Sequence, residues 1–156
     1  MSDMTTTGTK LYVPAMSGLY DALGKYAVTL IRVATGLFIV PHGMQKLFGM
    51  FGGNLDFYVN FFKKVGLEPA LPLVYLVGIT EFVGGICLAI GFLTRIWSAG
   101  LVIMLTVAWY TVHLPNGLFW TRGGIEFPLL WSILALAFFL RGGGEYSVDR
   151  AIGKEF

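Results

Sequence analysis

The residues able to do chemistry in this sequence are ionisable side chains set inside long apolar runs. Arg32, His42, Gln45 and Lys46 share one run, and Glu81 interrupts a second. Trp109, Tyr110 and His113 close a third run, and Arg122 and Glu126 open a fourth. An ionisable group inside a membrane costs several kcal/mol unless it is paired or hydrated, so each one raises a functional question. At about 100° per residue, His42 and Lys46 lie one turn apart and Arg32 falls within about 80° of both, giving a cationic stripe that must face the bundle interior. Such groups can hold protons and hydrogen-bond a polar ligand. They can also simply neutralise one another and set helix register, with Lys46 facing Glu81 or Glu126.

The elements that position these residues follow from composition. The chain has 156 residues, of which 56% are hydrophobic and only 13% charged, with a mean hydropathy of +0.72. A water-soluble protein of this length could not hide so much apolar surface, so the bilayer is its solvent. Aromatic content of 15% and long apolar runs exclude disorder. Four runs approach the ~20 residues that cross a hydrocarbon core. They cover Tyr26 to Phe48, Leu73 to Leu93, Ile96 to Leu114 and Ile125 to Leu140. Continuous runs are not the alternating segments of a barrel. The expected fold is therefore all-α, an integral membrane four-helix bundle.

Three segments are expected: a polar, interfacial N-terminal stretch (1–25), the four-helix domain (26–141) and a C-terminal tail (142–156). Residues 1–25 lack an apolar core after a basic start, so no cleavable signal peptide is expected. In the first long loop Asn54 caps a short helix with Phe57, Tyr58, Phe61, Phe62 and Val65 on one face, and Lys63 and Lys64 follow. It reads as an interfacial or re-entrant helix over one mouth of the bundle. The second loop is tiny, centred on Thr94 and Arg95, making an antiparallel hairpin. Lys10, Lys25, Arg95, Arg141, Arg150 and Lys154 share the side of both termini, against Lys46, Lys63, Lys64 and Arg122 opposite. The excess places both termini in the cytoplasm.

Depth then sorts the polar groups. His42, Gln45, Lys46, Glu81, His113, Arg122 and Glu126 all fall in the half away from the termini, with Glu81 about 12 Å below its span end at 1.5 Å per residue. Arg32 lies in the other half. Polar groups from four helices in one layer favour a ligand site over a single structural pair. A net charge of +2 offers no field for nucleic acid, and the single cysteine, Cys87, permits no dithiol couple. Two histidines on separate spans raise a bis-imidazole haem, but the sequence says only that both lie in the same half, so haem ranks low. No HxxxH or ExxH spacing supports a metal site. Gly78, Gly84, Gly85 and Gly91 permit close helix approach, and Gly142-Gly143-Gly144 is a helix stop.

The chain resembles the DoxX family of small four-helix membrane proteins. The resemblance rests on Arg32, the segment Pro41-His42-Gly43-Met44-Gln45-Lys46-Leu47-Phe48-Gly49, the run Gly78-Ile79-Thr80-Glu81-Phe82-Val83-Gly84-Gly85, Gly124-Ile125-Glu126, and a glycine-rich tail ending in Ser147-Val148-Asp149. It implies a subunit of a membrane oxidoreductase system in a prokaryotic plasma membrane, related to proteins found with thiosulfate:quinone oxidoreductase or beside soluble partners in thiol defence. On that basis a quinone-like ligand would find hydrogen-bonding and proton-handling groups in Glu81, His42, Lys46 and Glu126. Gln45, Trp109, Tyr110, His113 and Arg122 would complete the pocket. A non-catalytic anchor of a larger complex, or of a homo-oligomer, is the alternative, and a transporter ranks third because no internal repeat is visible. Arg32 and Asp149, on the same side of the membrane, are expected to pair and lock the end of helix four to helix one.

Overall fold

In the computed structural model residues 8–156 are described, so the first seven positions of the polar N-terminal segment lie outside the described residues. The described chain is helical without strands. Its helices are α1 (Ser17–Leu23), α2 (Ala27–Phe48), α3 (Leu55–Lys64), α4 (Ala70–Ile90), α5 (Thr94–Ala108), α6 (Glu126–Arg141) and α7 (Val148–Ile152). Short 3₁₀ turns join α1 to α2, so Pro14–Phe48 is one helical stretch of 35 residues. It, Ala70–Ile90 and Thr94–Asn116 are long and apolar enough to cross a membrane. The fourth helix, α6, has 16 residues, about 24 Å at 1.5 Å each, and is the short member of the bundle.

Helix α2 packs on α4, α4 on α5, and α5 on α6, while α6 returns to α2 only lightly. The α2–α4 seam is close because small residues face it from both sides. A Cβ on Gly43 would lie 2.5 Å from Phe82 N and 2.7 Å from Gly78 O, and one on Gly36 would meet Gly85 O and Ala89 N. On α4, a Cβ at Gly84 would lie 2.7 Å from the Trp97 ring, and one at Gly85 2.8 Å from Ile39. The small-residue role expected of α4 is thus shared by Gly36 and Gly43 of α2. Replacing Gly43 by Val should push α2 off α4 and cost about 1–3 kcal/mol, the range for overpacked cores, read as a lower unfolding temperature in detergent. A Gly18→Ala change, where nothing lies within 4 Å, should leave it unmoved.

Two apolar clusters sit at opposite ends. Ile39, Leu88, Leu101, Leu105, Ala135 and Phe138 fill the bundle toward the tail. Phe62, Ala70 and Val74, with Leu55, Tyr58 and Val59 against them, pin α3 over the other mouth. The Asn54 side chain accepts from Phe57 N at 3.0 Å and caps α3 as expected. Tyr58, Phe61 and Phe62 of the expected face pack there, joined by Leu55 and Val59, while Phe57 points outward. Leu55, Tyr58, Val59 and Phe62 follow the i, i+3, i+4, i+7 spacing of one helix stripe, and Phe61 flanks it.

The second loop is shorter than the sequence suggests. Gly91, at φ +73°, ends α4, Leu93 turns at φ +49°, and Thr94 and Arg95 already belong to the first turn of α5. Beyond Ala108 the third span continues as a π-helical turn, Trp109–His113. Arg122 lies in a separate turn, Trp120–Arg122, before α6 begins at Glu126. Arg122 and Glu126, expected to open the fourth span together, are therefore divided between a loop turn and the helix start. Gly123 and Gly124, which break the helix between them, are the reason.

Candidate functional site

At the mouth away from the termini, α2 and α4 bring Lys46 and Glu81 together. Lys46 Nζ and Glu81 Oε2 are 2.7 Å apart, and each side chain is 10% exposed. Gly43 and Gly78 make this reach possible, since they allow the two helices to approach within backbone contact beneath the pair. Lys46 Nζ also donates to His42 O at 3.3 Å and lies 5.0 Å from the centre of the Tyr58 ring. Its donors are thus satisfied by a carboxylate, a carbonyl and an aromatic face, as a cation removed from water requires. The Tyr58 hydroxyl donates to Gln45 Oε1 at 3.3 Å, and Gln45 Nε2 donates to Phe51 O at 3.3 Å. Burial, with the Glu81 charge adding to it, raises the Tyr58 hydroxyl above the usual phenol range. Tyr58 is the residue that sequence reasoning left out of the site. It was legible only as one aromatic of an interfacial helix, because its partners lie on another element.

His42 is in the same turn of α2, but it does not join this group. It is an exposed residue one turn beyond Phe38, which meets Trp131 of α6, and its side chain makes no hydrogen bond. The groups from the other two spans form a second arrangement. His113 Nδ1 donates to Gly123 O at 2.7 Å, and Asn116 Nδ2 reaches the same carbonyl at 3.2 Å. Glu126 Oε2 accepts from Trp120 N at 3.1 Å. Ile125 N and Glu126 N close the loop onto Gly117 O and Leu118 O at 3.0 Å each. Trp109 and Tyr110 meet edge to face at 6.0 Å, with Tyr110 turned outward. Arg122 is exposed and makes no ion pair among the described residues. Of the polar layer read from the sequence, the structure therefore joins Lys46, Glu81 and Gln45. His113 and Glu126 instead bond to backbone groups of the loop that leads into α6.

At the tail end Arg32 and Asp149 are both buried, 1% and 2% exposed, but they do not form the direct ion pair expected of them. Arg32 donates to Gly143 O, to Tyr146 O at 2.7 Å and to Ala89 O at 3.4 Å. The Asp149 carboxylate accepts from Leu93 N at 2.7 Å, and from Thr94 N and Thr94 Oγ1 at 2.9 and 2.7 Å. Asp149 N donates to Gly91 O at 2.9 Å. Each charge thus finds the backbone groups left open where helices end: Asp149 the amides starting α5, Arg32 the carbonyls near the ends of α4 and α6. The tail is sewn to the bundle by these two side chains from opposite directions. Thr94, fully buried at this joint, was not singled out by the sequence.

Among the described residues no cluster of three or more His, Cys, Asp or Glu side chains could hold a metal ion. Fold and site together define a helical membrane protein with a desolvated lysine–glutamate pair at one mouth and a buried polar joint at the other. The chain belongs to the DoxX family, whose model matches residues 27–114. It is 30% identical to the "Uncharacterized membrane protein Rv3486" of Mycobacterium tuberculosis over 161 residues, covering 97% of this chain and 95% of that one. It is 30% identical to the Bacillus subtilis protein named "Putative oxidoreductase CatD" over 125 residues, 80% of this chain and 86% of that one. An uncharacterized Haemophilus influenzae protein is 31% identical over 98 residues, 63% of this chain and 56% of its own length. No solved structure matches the chain.

Proposed function

We propose that this protein is the membrane-embedded subunit of a quinone-linked oxidoreductase system, and that Lys46 and Glu81 form the polar end of its ligand site. The observation that carries the reading is the Lys46–Glu81 pair itself, almost removed from solvent at the mouth of a bundle with Tyr58 and Gln45 directly above it. A quinone head needs a hydrogen-bond donor at each carbonyl and a source of protons when it is reduced. The Lys46 ammonium and the Tyr58 hydroxyl serve as these donors when a ring carbonyl takes the place of His42 O and Gln45 Oε1, their present acceptors, and Glu81 can accept a proton from Lys46 or from water at the mouth. Gln45 holds Tyr58 in place. A lone cysteine gives the chain no dithiol couple, so electrons come from a partner protein or a bound cofactor. The oxidoreductase name of the Bacillus subtilis relative supports the same direction. The excess of lysine and arginine beside the termini supports a plasma-membrane protein with both ends and the 142–156 tail in the cytoplasm.

A second reading, a non-catalytic anchoring subunit, is favoured by the way His113, Glu126, Arg32 and Asp149 spend their side chains on backbone groups. Protein purified in mild detergent, extracted and analysed by mass spectrometry, separates the two. The expected result is a stoichiometric quinone that is lost in Glu81→Gln. A wild-type protein that carries no quinone and takes none up on reconstitution, while Glu81→Gln impairs assembly with partner proteins, favours the anchor.

A further inference from the structure

The light contact between α2 and α6 has a register that places one bare polar side chain in an otherwise aromatic seam. Trp131 Nε1 donates to Thr35 O at 3.4 Å, and the Phe38 and Trp131 rings meet edge to face at 6.4 Å. The two helices run in opposite directions. One turn toward the mouth, about 6 Å, therefore brings His42 of α2 level with Phe127 of α6. Along this seam Phe38 is 66% exposed and Phe127 46%, and His42 is an exposed residue whose ring has no hydrogen-bond partner. The rings of Trp131, Phe127 and Trp120 continue as one series up to the mouth, with centres 6.0 and 5.4 Å apart. Lys46, one turn beyond His42 on the same helix, already belongs to the pair with Glu81.

We propose that the α2–α6 seam is the lateral seat of the ligand, a flat lipid-soluble ring held against Phe38, Phe127 and Trp131 with His42 hydrogen-bonded to one of its carbonyls. The inference rests on the quinone-linked reading and adds the place and direction of entry, from the bilayer and not only from the mouth. Three features favour a ring over a lipid tail. An imidazole facing hydrocarbon is costly unless something polar meets it. An acyl chain supplies no acceptor, whereas a ring carbonyl does. The edge-to-face and tilted aromatic walls also suit a flat π-system.

Quinones quench the emission of a tryptophan they touch, which allows the seat to be located. The chain has four tryptophans, at 97, 109, 120 and 131. In one variant Trp97, Trp109 and Trp120 are changed to Phe, leaving Trp131. In another only Trp97 remains, packed against Gly84 between α4 and α5. Titrating detergent-solubilised protein with ubiquinone-1 should quench the Trp131 variant saturably and leave the Trp97 variant unquenched. In the wild type, His42→Leu should raise the apparent Kd about tenfold, as loss of one hydrogen bond does, while His42→Gln stays within about threefold. These wild-type-background titrations also serve if a triple variant fails to fold. Ubiquinone-1 bound in equilibrium dialysis, with Trp131 unquenched or His42→Leu binding as wild type, overturns the seam and leaves the functional reading standing. No binding in dialysis overturns both. Trp131 emission that follows protein concentration and ignores ubiquinone-1 marks a contact between two copies, and also overturns the proposal.

Discussion

Glu81→Leu alone should destabilise the bundle by about 3–5 kcal/mol, and Lys46→Met added to it should restore most of that loss. In the single variant the Lys46 ammonium keeps only the His42 carbonyl, at 3.3 Å, and the Tyr58 ring, at 5.0 Å, for company. It remains a nearly buried cation with its carboxylate gone. The double variant removes the charge along with its partner, and two apolar side chains of similar length fill the same space. Lys46→Met alone should also be costly, since Glu81 would then be the uncompensated group. Thermal unfolding in detergent of the wild type, both singles and the double gives the coupling directly. Additive losses would mean that the two side chains do not act as a unit, and would remove the basis for reading them as one polar centre. A restored double variant that no longer retains quinone would separate the pair's contribution to stability from its contribution to the ligand.

Asp149→Ala should have a comparable effect at the other end. The carboxylate satisfies Leu93 N, Thr94 N and Thr94 Oγ1, and bonds to a charged acceptor are each worth about 1.5–3 kcal/mol. Losing these three bonds should cost about 3–5 kcal/mol, allowing for the hydroxyl finding another partner. Amide exchange at Leu93 and Thr94 should accelerate, and the tail beyond Gly143 should become open to protease. Arg32→Met should release the same tail by freeing the carbonyls of Gly143 and Tyr146. Because either change loosens the same segment, the double variant should lose clearly less than the sum of the two singles. A direct ion pair would also be non-additive, so the discriminating measurement is local. Arg32→Met should leave the Thr94 amide partly protected, while Asp149→Ala should not. Equal exposure of Thr94 in both would show that the tail detaches as a whole.

Much of this architecture could be read from particular residues. The unbroken apolar runs around Ile39, Leu88 and Leu105 required helices in a bilayer, and Asn54 marked the start of α3. Gly142 marked the end of α6. The pairing of Lys46 with Glu81 was one of two partners the spacing allowed, and Glu126 was the other. Glu126 went instead to the Trp120 amide, because Gly123 and Gly124 fold the preceding loop back over its own helix start. Arg32 and Asp149 do lie at the same end of the bundle, at the joint between tail and helices. Their partners were missed because backbone amides and carbonyls leave no trace in residue identity. Tyr58 was missed for a related reason: its partners are Gln45 and Lys46 on a different helix, and the interfacial pattern around it showed only that one face is apolar.

The sequence by itself determined the apolar, all-helical character of the chain and its family. All of these depend on composition and on periodicity along one chain. Only the tertiary structure decided which charges meet. Helix rotation and crossing depend on which glycines let backbones touch, and here Gly36 and Gly43 against α4 bring Lys46 to Glu81. Between α2 and α6, where no glycine of one helix faces the other, the contact is light and runs through the Trp131 ring.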